Sequence, residues 1–286
     1  MSSFAGSDAL PVGLRERVVT AALLARAAGR ATPAADPIPA VEGLRRSVGA
    51  LGDLLASLSD TQWHGPALRG LDVQGLIGHL IGVEDDVRRA LSGDPGAAAA
   101  DHIASTQTIA DGQHGRPAEA TRREWAAATG STLDLLAAAD PDRPVAVHGL
   151  RLTVHSLCVV RTFEVWTHEN DIRRALGLPP SEPDASTLTL MTHFATAVLP
   201  RAAAVRQLPT PVALRLVLTG PGGGTWQLRL GGDRPSAVDV GVVTGAVAFC
   251  RLVANRLAPS DLVLHVTGDP AIASALLHAA TTLALD

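Results

Sequence analysis

The chain has 286 residues, a net charge of −4, 47% hydrophobic residues and only 18% charged ones. All 24 basic residues are arginine and tyrosine is absent, which excludes Schiff-base and P-loop lysines and any tyrosine acid or nucleophile. The acidic balance also argues against a general nucleic-acid surface.

The length allows one large domain or two modest ones. With aromatics at 3%, the core must be built mostly from Ala, Leu and Val. Cys158 and Cys250 lie far apart inside apolar segments. They cannot make a disulfide framework or a cysteine zinc site, and they read as small core residues in a reducing cytoplasm. No apolar run approaches membrane-spanning length, and the stretch 18–25 is too short and too interrupted for a signal peptide. No membrane partner is therefore expected.

Residues 1–40 read as an accessory arm, with one helix over 14–28 and a Pro/Ala linker over 32–39. An amphipathic helix follows, with Leu44, Val48, Leu51, Leu55 and Leu58 at helical spacing. Asp72 caps a second helix to about Leu91, with Val73, Leu76, Ile77, Leu80, Val83 and Val87 on its apolar face. The stretch 92–100 is a loop. A third helix spans 117–139, and 138–147 is a turn around Pro141 and Pro144. A fourth runs from 154 to 176 and ends at Gly177. A fifth occupies 185–198. Four long helices with moderate connections predict an antiparallel bundle over 41–205. Beyond residue 206 the pattern changes. Strands are expected over 212–219, 225–230, 238–242 and 262–267, and helices over 245–257 and 270–283. This is a small α+β domain over 206–286. The glycines at 222–224 form a turn, because no lysine and no helix follows them as a phosphate loop requires.

The chemistry concentrates in Glu164-Val165-Trp166-Thr167-His168. Glu164 and His168 lie four residues apart on one helical face, where a carboxylate and an imidazole share a metal ion or simply a solvated surface. His79 sits in the middle of the apolar second helix, between Leu76 and Val83. It is either a core histidine satisfied by a polar neighbour or a third ligand offered by a facing helix. Two histidines and one carboxylate leave positions open, as catalytic zinc needs, and iron, nickel or manganese fit the same donors. Asp171 is placed to hydrogen-bond His168 or to pair with Arg174. His102 and His114 fall in a polar loop. His64, His148, His155, His193, His265 and His278 show no ligand spacing. Glu84-Asp85-Asp86 with Arg88-Arg89 reads as a solvated face of i,i+4 pairs.

Three segments carry a family resemblance. They are Gly78-His79-Leu80 with Val83-Glu84, the run Phe163 to Arg173, and Leu58-Ser59-Asp60-Thr61-Gln62-Trp63. Together they resemble the mycothiol-dependent maleylpyruvate isomerase family. The segment Phe249 to Arg256 followed by 262–269 resembles the same family's C-terminal part, so the likeness runs from about residue 41 to the end. It implies a DinB-like four-helix bundle followed by a sterol-carrier-like α+β domain. It also implies zinc on His79, Glu164 and His168, and mycothiol as thiol cosubstrate. The thiolate would attack an electrophilic small molecule, as an isomerase or S-transferase does. The family's C-terminal arginine matches Arg256 best, as a catalytic or cofactor-binding group, with Arg251 as rival. Its second arginine has only loose counterparts in Arg88, Arg89 and Arg116. That departure, with the extra arm, turns the expectation away from maleylpyruvate itself.

The alternatives are a non-enzymatic metal- or ligand-binding protein that keeps the fold and a zinc hydrolase acting through bound water. The expected partners are a small-molecule thiol and an electrophile, with no nucleic acid, in a monomer or homodimer. The arginine-only basicity fits an actinobacterial source.

Overall fold

The computed structural model describes residues 35–208, 211–230 and 238–283, together with Val18 and Ala22. Apart from those two positions, the helix expected over 14–28 lies outside the described residues, as does the first part of the linker.

The bundle is made of α1 (Ala40–Ser57), α3 (Val73–Leu91), α6 (Ala118–Ala138) and α7 (Val154–Ala175). Helix α1 buries the stripe its spacing dictates, while α3 and α7 are buried on nearly every side. In α1, Leu44, Leu51, Leu54 and Leu55 face the core, and a Leu→Ala change at such a site costs about 2–5 kcal/mol. Asp72 caps α3 by accepting from the Gly75 N–H at 2.7 Å. Thr153 caps α7 by accepting from Ser156 N–H, and Gly177 ends that helix region with φ +67°. Helix α1 packs on α7 and α6, while α3 packs on α6.

The connections hold more structure than the sequence reading expected. A short helix α2 (Asp60–Trp63) opens on a capping box from Ser59 and Gln62. It leads into a two-stranded ribbon, β1 (Pro66–Leu68) with β2 (Leu71–Asp72). After α3 come α4 (Pro95–Ala99) and α5 (His102–Gly112). The latter replaces the polar loop expected around His102. Helix α5 packs closely on α3 because Gly78 and Gly82 leave room for it. A Cβ at Gly82 would lie 2.9 Å from the Thr106 side chain, and one at Gly78 would lie 2.8 Å from Ala110 Cα. The expected turn over 138–147 ends in a hairpin, β3 (Pro144–Val147) with β4 (Leu150–Thr153). Its two-residue turn has positive φ at both His148 and Gly149, 50° and 74°, as a primed hairpin turn requires.

Helix α8 (Ala185–Val205) runs seven residues past its expected end and through Pro200. By length and composition it is apolar enough to cross a membrane, with mean hydropathy 1.2. In the fold it packs against α1, α7 and the C-terminal elements. Those elements are β5 (Val212–Thr219), β6 (Gly224–Leu230), β7 (Val240–Gly245), α9 (Ala246–Val253), β8 (Leu264–Gly268) and α10 (Pro270–Ala280). The sheet order is β6-β5-β7-β8, with β5 and β7 parallel and the outer pairs antiparallel. The glycine turn between β5 and β6 seats on α8. Thr192 donates its hydroxyl to the Gly222 carbonyl at 2.8 Å, and any Cβ at Gly222 would strike Leu188. The turn is structural, as its sequence indicated. Both cysteines are buried and free. Burial pushes the Cys158 thiol up to about 11 and the Cys250 thiol up to about 12.

Candidate metal centre

Helices α3 and α7 bring His79, Glu164 and His168 together. Each offers a ligand atom, and the three atoms lie within 4.8 Å of one another. All three side chains are buried. His79 Nε2 is 3.6 Å from Glu164 Oε1. The His79 and His168 rings meet edge-on with centroids 5.6 Å apart.

For neutral imidazoles, their hydrogen bonds decide which ring nitrogen carries the proton. His168 Nδ1 lies 3.1 Å from Asp171 Oδ2. A carboxylate only accepts, so Nδ1 carries the hydrogen and Nε2 keeps a bare lone pair. His79 Nδ1 lies 2.7 Å from Thr106 Oγ1, whose own hydrogen goes back to the His102 and Ile103 carbonyls. Thr106 therefore accepts from Nδ1, and His79 Nε2 is also bare. Glu164 Oε1 and His168 Nε2 are buried with no hydrogen-bond partner. Two lone-pair nitrogens and a carboxylate oxygen converge with no proton between them. That arrangement is unfavourable empty and suits a cation.

Glu164 is held from behind. Arg161 is almost fully buried and forms ion pairs with Glu164 Oε2 and with Glu84 Oε1. Burial opposes ionisation of Glu164, but the Arg161 guanidinium outweighs it and holds the carboxyl well below its usual range. Glu84, expected on a solvated face, is therefore an internal counter-charge. Asp86 is buried too, accepting from Ser105 Oγ at 2.7 Å and from His148 Nε2 at 3.0 Å. Arg88 pairs with Asp85 and Arg89 with Asp86, three residues apart rather than the four expected, and Arg89 also pairs with Asp94.

Asp171 makes both of the contacts considered for it, and a third. It accepts from His168, from Arg174 at 2.7 Å and from Arg256, whose Nε and Nη2 each lie 2.9 Å from one carboxylate oxygen. Burial works against the Asp171 charge, yet His168 and Arg256 bring its pKa down to about 2. Arg256 thus reaches the centre from α9's end, through Asp171.

A cavity of about 470 Å³ opens beside Glu164 and His168, between β4, α7, α8 and α9. Its walls are largely apolar, including Leu150, Phe163, Phe194 and Val198. The cation among its lining residues is Arg201, which has no hydrogen-bond or ion-pair partner among the described residues. Arg251 and Arg256 are not in that lining, and neither are Arg88, Arg89 or Arg116, the last paired with Glu124 at 2.5 Å. Arg201 was not among the candidates the sequence offered. Its one available signal was position, since Phe194, Val198, Arg201 and Val205 share one face of α8.

His102 is buried at the start of α5, with its ring centroid 5.0 Å from that of His79. Burial pushes its imidazole down to about 4, against the opposing pull of Glu164. His114 is exposed.

Known proteins resemble this chain in sequence and in fold. The profile of the mycothiol maleylpyruvate isomerase N-terminal domain matches residues 44–173. Uncharacterized proteins from two strains of Mycobacterium tuberculosis, CDC 1551 and H37Rv, are each 30% identical over 250 residues, which is 83% of this chain and 93% of theirs. The crystal structure of the mycothiol-dependent maleylpyruvate isomerase superposes with a TM-score of 0.54 at 13% identity, covering 79% of this chain and 91% of that one. A point mutant of the same enzyme gives the same score at 15% identity.

Proposed function

Since the chain belongs to the mycothiol-dependent maleylpyruvate isomerase family, we propose that it is a metal-dependent thiol enzyme. It acts as an isomerase or S-transferase, using mycothiol or a similar small thiol against an electrophilic small molecule. His79, Glu164 and His168 would hold the metal, and zinc is one of the ions that suit two imidazoles and a carboxylate. The observation that carries this reading is the convergence of bare Nε2 lone pairs on an orphaned carboxylate oxygen.

When bound, the metal supplies a lowered thiol pKa, so that the sulfur is a thiolate at neutral pH. The chain's residues do the rest. Asp171 fixes the His168 tautomer, and Arg256 holds Asp171 in place. Thr106 does the same for His79. Arg161 occupies Glu164 Oε2, which leaves Oε1 turned toward the imidazoles. The apolar walls beside the centre exclude water from the thiolate and from the electrophile. Arg201 faces that space as a partner for a carboxylate group. The two buried cysteines stay protonated and leave the attack to the external thiol. Their free state agrees with a cytoplasmic site of action.

Metal analysis of the purified protein beside His79→Ala and His168→Ala tests the ligand set. The wild type is expected to retain one metal per chain and both variants to lose it. Full retention in both variants refutes it. Thiol binding is read separately, as proton release on adding mycothiol to the metal-loaded protein. Absence of thiol binding at millimolar concentration leaves a metal- and ligand-binding protein that keeps the fold without the chemistry.

A further inference from the structure

A second chain of hydrogen bonds points at the same carboxylate from the opposite side to α7. It begins at Asp86 on α3. Asp86 Oδ2 faces His148 Nε2 at 3.0 Å, and a carboxylate accepts, so His148 carries its hydrogen on Nε2. His148 Nδ1 is then a lone pair. It lies 3.2 Å from His102 Nδ1, which must therefore be the donor. His102 is left with a bare lone pair on Nε2. That atom is buried, has no hydrogen-bond partner, and lies 3.5 Å from Glu164 Oε1. Two acceptors thus confront each other in a buried site, which is unfavourable unless something positive lies between them. The spacing about Oε1 suits a metal, while His102 stands just outside the three ligand atoms that lie within 4.8 Å of one another. Donor atoms on a tetrahedral ion with arms of about 2.0–2.2 Å stand about 3.4 Å apart. The distances from Oε1 to His102 Nε2 and to His79 Nε2, 3.5 and 3.6 Å, are both close to that edge.

We propose that His102 is a fourth protein ligand to the metal held by His79, Glu164 and His168, with His148 and Asp86 fixing its tautomer. The centre is then three imidazoles and one carboxylate. The incoming thiol is a fifth donor, an expansion that zinc accommodates. Arrangement of the fold around His102 agrees with this role. The Gly78 and Gly82 gap seats α5 against α3, and the positive-φ turn at His148 and Gly149 brings the His148 ring under His102, with centroids 4.7 Å apart.

The inference rests on the metal reading above, and the test separates the two. X-ray absorption at the zinc edge counts imidazoles on the wild-type protein without thiol or substrate. Three imidazoles are expected. Two imidazoles overturn this proposal and leave the metal reading intact, with a proton shared between His102 and Glu164 instead. No bound metal sinks both. Cobalt-substituted His102→Ala, checked for fold by circular dichroism, should show an altered visible spectrum and at least tenfold faster loss of metal to a chelator. His148→Ala should weaken retention by a smaller factor, since it removes only the partner that orients His102. An unchanged spectrum and unchanged retention in folded His102→Ala would also overturn it. The wild-type count decides if the variant does not fold.

Discussion

Arg161 on α7 and Glu84 on α3 are bonded across the bundle core, 77 positions apart, with side chains only 1% and 2% exposed. The same guanidinium holds Glu164, so one cation is shared by two carboxylates. The group as a whole carries one net negative charge at the edge of the candidate metal centre. That charge is part of what would draw a divalent ion in.

Replacing Glu84 by Gln leaves the Arg161 charge concentrated on Glu164 and makes Oε1 a poorer donor. Arg161 stays paired with Glu164, so the cost is that of one weakened charge-assisted hydrogen bond, about 1–3 kcal/mol. Denaturant unfolding of Glu84→Gln should show a loss of that order, together with about tenfold weaker metal affinity in a chelator competition. A variant with wild-type stability and affinity would show that the internal pair has no role in either.

The close approach of α5 makes a second prediction. A methyl group at Gly82 would press on Thr106 at 2.9 Å, backbone included at 3.0 Å. Overpacking of this kind costs about 1–3 kcal/mol. It would also move the hydroxyl that orients His79. Gly82→Ala should lower both Tm and metal retention. Gly49→Ala, where a Cβ meets nothing within 4 Å, should instead raise stability by up to about 1 kcal/mol. The pair of melting curves checks both signs.

Arg201 and Arg256 should separate cleanly in function. Arg201→Ala should raise KM for a carboxylate-bearing electrophile by roughly tenfold or more, since charge-assisted hydrogen bonds contribute about 1.5–3 kcal/mol. It should leave metal content unchanged. Arg256→Ala should act through Asp171, loosening His168 and lowering metal retention. Steady-state kinetics and metal analysis on both variants test this, and identical phenotypes would contradict it.

Asp171 also carries a pH signature. Its folded pKa, about 2, lies below the usual carboxylate value of 3.8. Deprotonation is therefore favoured by folding. The resulting stability is fully present above about pH 4 and is lost as pH falls through 2. Asp171→Asn should remove that acid-side dependence, which acid unfolding monitored by circular dichroism can follow.

At the alkaline end the two thiols stand almost alone. With no lysine and no tyrosine in the chain, no other side chain titrates between about pH 9 and 12. Folding holds Cys158 and Cys250 protonated to about 11 and 12. A folded pKa raised in this way gives stability that is present below the unfolded value, near 9, and lost as pH rises through the folded ones. Stability should be flat to about pH 9 and then fall by several kcal/mol. A Cys158→Ala/Cys250→Ala double variant should lack the fall.

The bundle was legible because its helices announce themselves locally. Leucines at helical spacing mark α1, Asp72 caps α3, and Gly177 stops α7. The Glu164 and His168 pair was legible from its spacing of four, and His79 from its place among apolar neighbours. What escaped depends on partners distant in sequence. Helix α5 is polar along most of its length, and the feature that seats it, Gly78 with Gly82, lies on another helix. Glu84 and Asp86 look solvated until Arg161 and His148 are folded against them. His148 itself is turned inward by a hairpin too short to show a strand period. Arg201 was hidden by the early stop expected before Pro200, which α8 instead passes through.

The buried cluster at the centre has one more consequence. Several lone pairs meet there with no hydrogen to share, and each unmet group costs about 1–3 kcal/mol. A folded chain lacking the ion would therefore be a weakened one, opened more often and exposed to proteolysis. Binding the ion stabilises by RT ln(1 + [M]/Kd). The quantity of this protein that survives in a cell would then follow the supply of metal, so that scarcity is registered as turnover before it is felt as lost catalysis.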